Sequence, residues 1–99
     1  MMIDEVKKDG DLYLNIHGKV DSSIGEEFTN TLIRAFQKSL SVVVNFEEVT
    51  YISSMGLRGL LLGEKIAQSK NGRLVVINVS DDVLDTFRVT GFDKLLTIR

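Results

Sequence analysis

The apolar positions near the start of the chain follow a strand pattern. Leu12, Leu14 and Ile16 alternate with Tyr13, Asn15 and His17, which is the period of a half-buried β-strand over 12–18. The preceding tetrapeptide Lys8-Asp9-Gly10-Asp11 is a hairpin-type turn signal and predicts a partner strand over 3–7. A β-hairpin is therefore expected first.

Further along, the apolar residues form continuous runs that lack alternation. Ser41–Phe46 and Leu74–Val79 are runs of this kind, typical of strands covered on both faces. Val49–Ile52 is a shorter run, and Leu95–Ile98 is expected to form a last short strand.

Three segments carry helical periodicity. The first starts with Ser23 and Glu26 at capping-box spacing, and its apolar stripe comprises Ile24, Phe28, Leu32, Ala35 and Phe36. The second is predicted from about Gly56 to Lys70 and is closed by Asn71-Gly72. The third is capped by Ser80, ends at Gly91 and carries the apolar residues Val83, Leu84, Phe87 and Val89. The order ββαβαβα(β) predicts an α/β domain (α+β by some schemes) with a mixed sheet.

The composition of the chain excludes several kinds of site and partner. Ninety-nine residues make one domain, 1–99. The chain has no cysteine and one histidine, which excludes disulfides, a thiol nucleophile and the common zinc sites. A net charge of −2 with no basic run makes nucleic acid an unsuitable partner. With no apolar stretch of membrane-spanning length and no secretory signal, we expect a cytoplasmic protein that neither inserts into a membrane nor carries a cofactor or metal.

The most informative segment is Val49–Gly63, where an apolar run ends in two serines and a helix follows at once. A helix N-terminus has unpaired amides and partial positive charge, so a serine there can cap the helix or carry a phosphate. Chemistry alone favours the plain cap. An enzyme is not expected, because the serines lack a Gly-x-Ser-x-Gly elbow and no general base is evident.

The predicted second helix also has a stripe of small residues, Gly56, Gly59, Gly63 and Ala67. Glycine weakens a helix interior, so close packing of this stripe on the sheet is expected in compensation. That orientation points Leu61 outward beside Arg58, which makes Leu61 a candidate partner contact.

These segments together resemble a STAS domain, the fold shared by sulfate-transporter tails and bacterial anti-sigma factor antagonists. The family's Asp-Ser-x-Gly-Leu motif corresponds to Ser53–Leu57, after the apolar Ile52. Three further segments are similar to parts of the family's sequence pattern: His17–Asp21, the two apolar runs within 42–52, and Thr90-Gly91-Phe92. The resemblance spans nearly the whole chain and implies a mixed sheet with helices packed mainly on one face.

The resemblance implies a regulatory, non-enzymatic role. In such antagonists the motif serine is phosphorylated by an ATP-dependent serine kinase, which is the anti-sigma factor itself. The unphosphorylated antagonist binds that kinase and frees a sigma factor, and a serine phosphatase reverses the mark. Carried over, Ser54 is the acceptor and Ser53 a less favoured one. The implied partner-binding residues are Asp21, Ser53, Met55, Gly56, Leu57, Arg58 and Leu61.

Two residues depart from the family motif and affect this interpretation of the serine segment. Ser53 stands where aspartate is usual, and Met55 where a small residue is usual. His17 receives no functional role. The competing interpretation is a stand-alone STAS subunit, structural or regulatory, of a lipid-transport or signalling complex.

Overall fold

The computed structural model describes residues 2–99. The strands are β1 (Met2–Lys8), β2 (Asp11–Val20), β3 (Ser41–Ile52), β4 (Arg73–Ile77) and β5 (Thr97–Ile98). The helices are α1 (Gly25–Lys38), α2 (Ser54–Ser69) and α3 (Asp81–Thr90), followed by a short 3₁₀ turn over Phe92–Lys94. The predicted order of elements is confirmed, although the two apolar runs between 41 and 52 form one strand.

The hairpin forms as expected. β1 and β2 are antiparallel, with Lys8 opposite Asp11 across a two-residue loop. Asp9 and Gly10 have φ of 52° and 86°, the left-handed region required at both central positions of a type I′ turn. The Asp-Gly dipeptide therefore fixes both the turn and the register of the pair.

The sheet order explains where the helices lie. The order is β1-β2-β3-β4-β5, and β2 to β5 are parallel. Right-handed crossovers between strands that follow one another in a single direction all fall on the same face. Phe46 accordingly meets α1 through Phe28 at 6.3 Å between ring centroids and α3 through Phe87 at 6.4 Å. The predicted mixed α/β fold is confirmed.

The apolar runs of β3 and β4 are buried on both faces as expected, with Val43 and Val75 only 6% and 5% exposed. The helices nevertheless pack on one face of the sheet, in agreement with the packing that the resemblance implies. Val42 and Val44 belong to the core cluster, but the buried Val43 and Val75 lie outside it, on the face opposite Phe46. Within residues 2–99 no helix covers this face, which we call the open face. Because every crossover falls on one side, a continuous apolar run here does not indicate a second helical layer.

Two details of the helices also differ from expectation. Ser23 does not cap α1; its amide and hydroxyl both donate to Asp21 Oδ1, and α1 begins after Ile24 with no side-chain cap. Val89 is 87% exposed, because Val83 and Phe87 define the buried side of α3 and Val89 lies off it. The cap by Ser80, which accepts from the Val83 amide at 3.3 Å, and the left-handed Gly91 are confirmed.

None of the helices found in residues 2–99 combines the length and apolarity needed to cross a membrane.

Candidate functional site

The site is built at the junction of β3 and α2. Ser53 is extended, with φ of −84° and ψ of 171°, and its hydroxyl accepts a hydrogen bond from the Gly56 amide at 3.2 Å. Its carbonyl accepts from the Leu57 amide at 2.9 Å, which closes the first turn. The helix thus starts at Ser54, two residues before the predicted start.

The two serines have different environments. Ser53 is 7% exposed and is the helix cap, whereas Ser54 is exposed at the first helical position. The capping role and the free hydroxyl therefore belong to neighbouring residues, and the plain cap expected from chemistry is Ser53.

Asp21 lies beside this junction because of the pairing of the strand ends. The Ser53 amide donates to the carbonyl of Val20 at 2.8 Å, and Asp21 follows Val20 directly. The Ser23 hydroxyl, together with the backbone amides of Ser23 and Ile24, holds the pKa of Asp21 below its ordinary value. The carboxylate is therefore ionised and ordered at neutral pH, next to the serine loop.

Glycines let α2 approach its neighbours closely. A Cβ at Gly56 would lie 2.7 Å from Ile52 Cγ1 and 2.8 Å from Val20 Cγ1, and one at Gly59 would lie 2.5 Å from Thr29 Oγ1 on α1. Gly63 faces both Leu32 of α1 and Leu74 of β4. The stripe is closely packed as expected, but the prediction that it packs on the sheet is wrong for Gly59, which rests on α1.

The structure separates the predicted partner-binding residues by depth. Ser53, Gly56 and Leu57 are buried, so they shape the loop and offer no side chain to a partner. Met55 is 40% exposed and Arg58 is exposed, while Asp21 is half-buried.

The orientation of Leu61 differs from the expected outward one, and its role as a partner contact stays a prediction. Leu61 is half-buried, and its neighbour Leu62 is the exposed leucine of this helix, at 40%. Because the glycine stripe turns toward α1 as well as the sheet, the helix is rotated relative to the predicted orientation.

The charges at the start of α2 are unusual within the molecule. The first turn of α1 carries Glu26 and Glu27, and that of α3 carries Asp81 and Asp82, but the first turn of α2 has no acidic residue. Acidic side chains in the first turn offset the partial positive charge of a helix N-terminus. At α2 no residue of the first turn offsets this charge, and the exposed Arg58 lies one turn beyond Ser54.

One polar cluster was missed by the sequence reasoning. His17 Nε2 lies 2.9 Å from Asp4 Oδ2, and His17 Nδ1 lies 2.9 Å from Glu48 Oε2. The hydrogen bond to Asp4 is the main cause of a raised pKa at His17. The cluster links β2 to β1 and β3 on the open face. The alternation of apolar and polar residues in β2 predicted that His17 lies on the same face as Asn15. It could not predict Asp4 and Glu48 as the partners of His17, because they come from the two neighbouring strands.

Within the described residues, no group of three histidine, cysteine or acidic side chains is arranged to hold a metal ion.

Known proteins similar to this chain point to one family. The family model described as STAS domain matches residues 2–99. A Bordetella bronchiseptica protein named as an anti-sigma factor antagonist, BtrV, is 33% identical over 93 residues, covering 93% of this chain and 80% of BtrV. The anti-sigma-B factor antagonist of Bacillus subtilis is 24% identical over 97 residues, covering 97% of this chain and 88% of its own.

Solved structures support the same fold. A Thermotoga maritima protein described as an anti-sigma factor antagonist superposes with a TM-score of 0.89 at 14% identity, covering 97% of this chain and 84% of its own. Unphosphorylated and phosphorylated SpoIIAA, the latter described as a Bacillus cell fate determinant, give TM-scores of 0.75 and 0.74 at 18% identity. Each match covers 99% of this chain, and 87% and 91% respectively of SpoIIAA. The chain belongs to the STAS domain family, and its named relatives are anti-sigma factor antagonists.

Proposed function

We propose that the protein is an anti-sigma factor antagonist whose binding is switched off by phosphorylation of Ser54. The observation that carries the proposal is that the two neighbouring serines have different roles. Ser53 is buried and committed to capping α2, and Ser54 presents an exposed side chain at a helix start free of acidic residues. Its relatives named as anti-sigma factor antagonists support the same class of function.

The start of α2 suits a phosphate on Ser54. Phosphorylation adds a charge of about −1.5 to −2 and three acceptor oxygens. The partial positive charge of the helix N-terminus stabilises an anion by about 0.3–1 kcal/mol, and Arg58 lies one turn away on the same side. The modification therefore costs the fold little.

The consequence for binding is much larger. A surface that matches a neutral hydroxyl at Ser54 must desolvate the phosphate or oppose its charge, which costs several kcal/mol. A loss of about 3 kcal/mol lowers affinity more than a hundredfold. Met55, Arg58 and the adjacent Asp21 offer the surface around Ser54 that the partner contacts.

The partners follow from this role. An anti-sigma factor serine kinase binds the unphosphorylated protein, releases its sigma factor and transfers phosphate from ATP to Ser54. A serine phosphatase restores the free hydroxyl. The kinase and phosphatase supply the catalytic groups, and the cytoplasm of a bacterium, where sigma factors act, is the place of action.

The experiment is phosphorylation by candidate anti-sigma factor kinases of the host with ATP, followed by mass mapping of the phosphosite. We expect one phosphate on Ser54 that Ser54→Ala abolishes. Ser53→Asp is the matched control, because aspartate also caps a helix and cannot accept phosphate; it should retain phosphorylation at Ser54. Phosphate mapped to Ser53, or no transfer from any kinase of this class in the host, would contradict the proposal.

A further inference from the structure

The outer edge of β1 has no neighbouring strand among residues 2–99. β1 is the first strand in the sheet order and pairs only with β2. Six of its seven residues are exposed, including Val6 at 47%. An open edge of this kind offers unpaired amides and carbonyls to another strand.

The hairpin determines which backbone groups face outward. The pair that closes a two-residue hairpin loop, here Lys8 and Asp11, is a hydrogen-bonded pair, and hydrogen-bonded pairs recur at every second residue of the ladder. The even-numbered residues of β1 therefore bond to β2. Ile3, Glu5 and Lys7 direct their amides and carbonyls away from the sheet.

The charges of β1 are divided along its length. Asp4 and Glu5 are acidic, and Lys7 and Lys8 are basic, on either side of Val6. If a second β1 aligns antiparallel with Val6 opposite Val6, Asp4 faces Lys8 of the second copy and Glu5 faces Lys7. Centring the pair on Glu5 or on Lys7 instead places two like charges directly opposite, which is destabilising.

We propose that β1 pairs with β1 of a second copy of this chain in the Val6-centred antiparallel register. The register that matches the charges also brings together the outward-facing backbone groups, because Glu5 and Lys7 would form the hydrogen-bonded pairs on both sides of the twofold axis. Edge charges ordinarily prevent strand pairing, but here their order is complementary to itself. The product is a closed twofold dimer with one continuous ten-stranded sheet.

The faces of the two sheets also match. Val6 lies opposite Tyr13, which lies opposite Val43, so Val6 belongs to an apolar row on the open face. In the dimer the two Val6 side chains meet at the axis as a non-hydrogen-bonded pair, in which side chains are closest. Glu5 already bonds Lys38 at 2.8 Å and would gain Lys7 of the second copy as another cation. Since β2 separates β1 from β3, both Ser54 loops stay exposed in the dimer.

A pair of charge variants tests the register. In the proposed register, residue 5 of one copy faces residue 7 of the other. Glu5→Lys alone would place lysine opposite lysine at these positions, and Lys7→Glu alone would place glutamate opposite glutamate. Each variant should therefore self-associate at least about tenfold more weakly than wild type. A mixture of the two restores every 5–7 pair as lysine against glutamate and should form a heterodimer. Sedimentation equilibrium up to about 1 mM protein suits the weak association expected of a small interface. Far-UV circular dichroism checks that each variant is folded.

The result that overturns the proposal is a monomeric wild type over this range, unchanged association in Lys7→Glu, or a mixture that stays monomeric. Amide chemical shifts give a measurement that needs no variant. On concentrating the wild type, the amides of Ile3, Glu5 and Lys7 should shift while those of Met55 and Arg58 stay constant. Shifts confined to the α2 surface would place self-association elsewhere and refute pairing through β1.

Discussion

The starts of α2 and α3 share a serine cap and differ in the three residues that follow it. In each, a serine hydroxyl accepts a hydrogen bond from the amide three residues on, at 3.2 Å from Gly56 to Ser53 and 3.3 Å from Val83 to Ser80. After Ser80 come two aspartates and then valine, whereas after Ser53 come serine, methionine and glycine.

The contrast between the two helix starts distinguishes the residues needed for helix formation from those available for function. Asp81 and Asp82 offset the positive end of α3, so that this start is electrostatically complete. At α2 the same positions hold an exposed hydroxyl and an exposed methionine, and the third holds a glycine that allows close packing. The N-terminus of α2 is thus less stable by itself than that of α3. Close packing against the surrounding core holds it in place, and its exposed first turn remains accessible to an added anion.

The largest expected effect is on partner binding. Ser54→Asp should weaken binding to the cognate anti-sigma factor by about a hundredfold or more, because the interface must accommodate a charge in place of a hydroxyl. The melting temperature should be unchanged or slightly higher, since the carboxylate offsets the helix dipole. Calorimetric titration and a thermal melt measure the two quantities. As a control, Asp81→Ser gives α3 the same Ser-Ser start and should leave binding intact; equal affinity of Ser54→Asp and wild type would refute the switch.

The next effect concerns the third helical position. Gly56→Ala should lower the free energy of unfolding by about 1–3 kcal/mol, because its Cβ overlaps the buried side chains of Ile52 and Val20. Gly63→Ala is the matched control; its Cβ would lie 3.3 Å from Leu74 Cδ2 and 3.5 Å from Leu32 Cδ1, and the gain in helix propensity of about 1 kcal/mol offsets this milder crowding. Urea denaturation compares them, and equal stability of the two variants would show that α2 is not held closely at Gly56.

A smaller difference in stability is expected between variants of the two capping serines. Ser53→Ala and Ser80→Ala should each cost about 1 kcal/mol of unfolding free energy. The loss should be greater at Ser53, because that residue is buried and water cannot readily replace its hydroxyl, whereas Ser80 is exposed. Chemical denaturation of both variants provides the measurement. A larger loss at Ser80 would mean that burial does not control the strength of these caps.

The smallest expected effect is at the start of α1, where Asp21 orders the turn in place of a cap. Its pKa is lower in the folded protein, so its stabilising contribution is present above about pH 4 and disappears as the pH falls through the folded value. Asp21→Asn should therefore flatten the dependence of unfolding free energy on pH below about pH 4. Denaturation curves between about pH 2 and 6 give the comparison, and identical profiles for variant and wild type would exclude this role.

Local patterns predicted the parts of the fold that depend on neighbours in sequence. The Asp9-Gly10 turn, the cap at Ser80 and the order of elements follow from residue types at fixed spacing. The Ser23 cap failed because Asp21 competes for the same hydroxyl and amide. The apolar runs of β3 and β4 indicated burial on both faces but not which face the helices cover, because that depends on the side to which the crossovers turn.

The candidate site was predictable in place but not in detail. Adjacent serines before a helix indicate a cap without showing which residue provides it. That choice depends on where β3 ends, which is fixed when the Ser53 amide bonds the Val20 carbonyl of another strand. The depth of Leu61 and the ion pairs of His17 depend in the same way on packing between elements.

The one-directional order of the parallel strands has a consequence for what the domain can recognise. In open α/β sheets, small molecules bind in the crevice that forms where the strand order reverses and adjacent crossovers diverge to opposite faces. From β2 to β5 the order never reverses, so the carboxyl ends of the strands are bordered by helices on one side only. A chain wound in this way therefore has no crevice between diverging crossovers at the ends of its parallel strands, and the surface there is built from the strand ends and the helices of a single face.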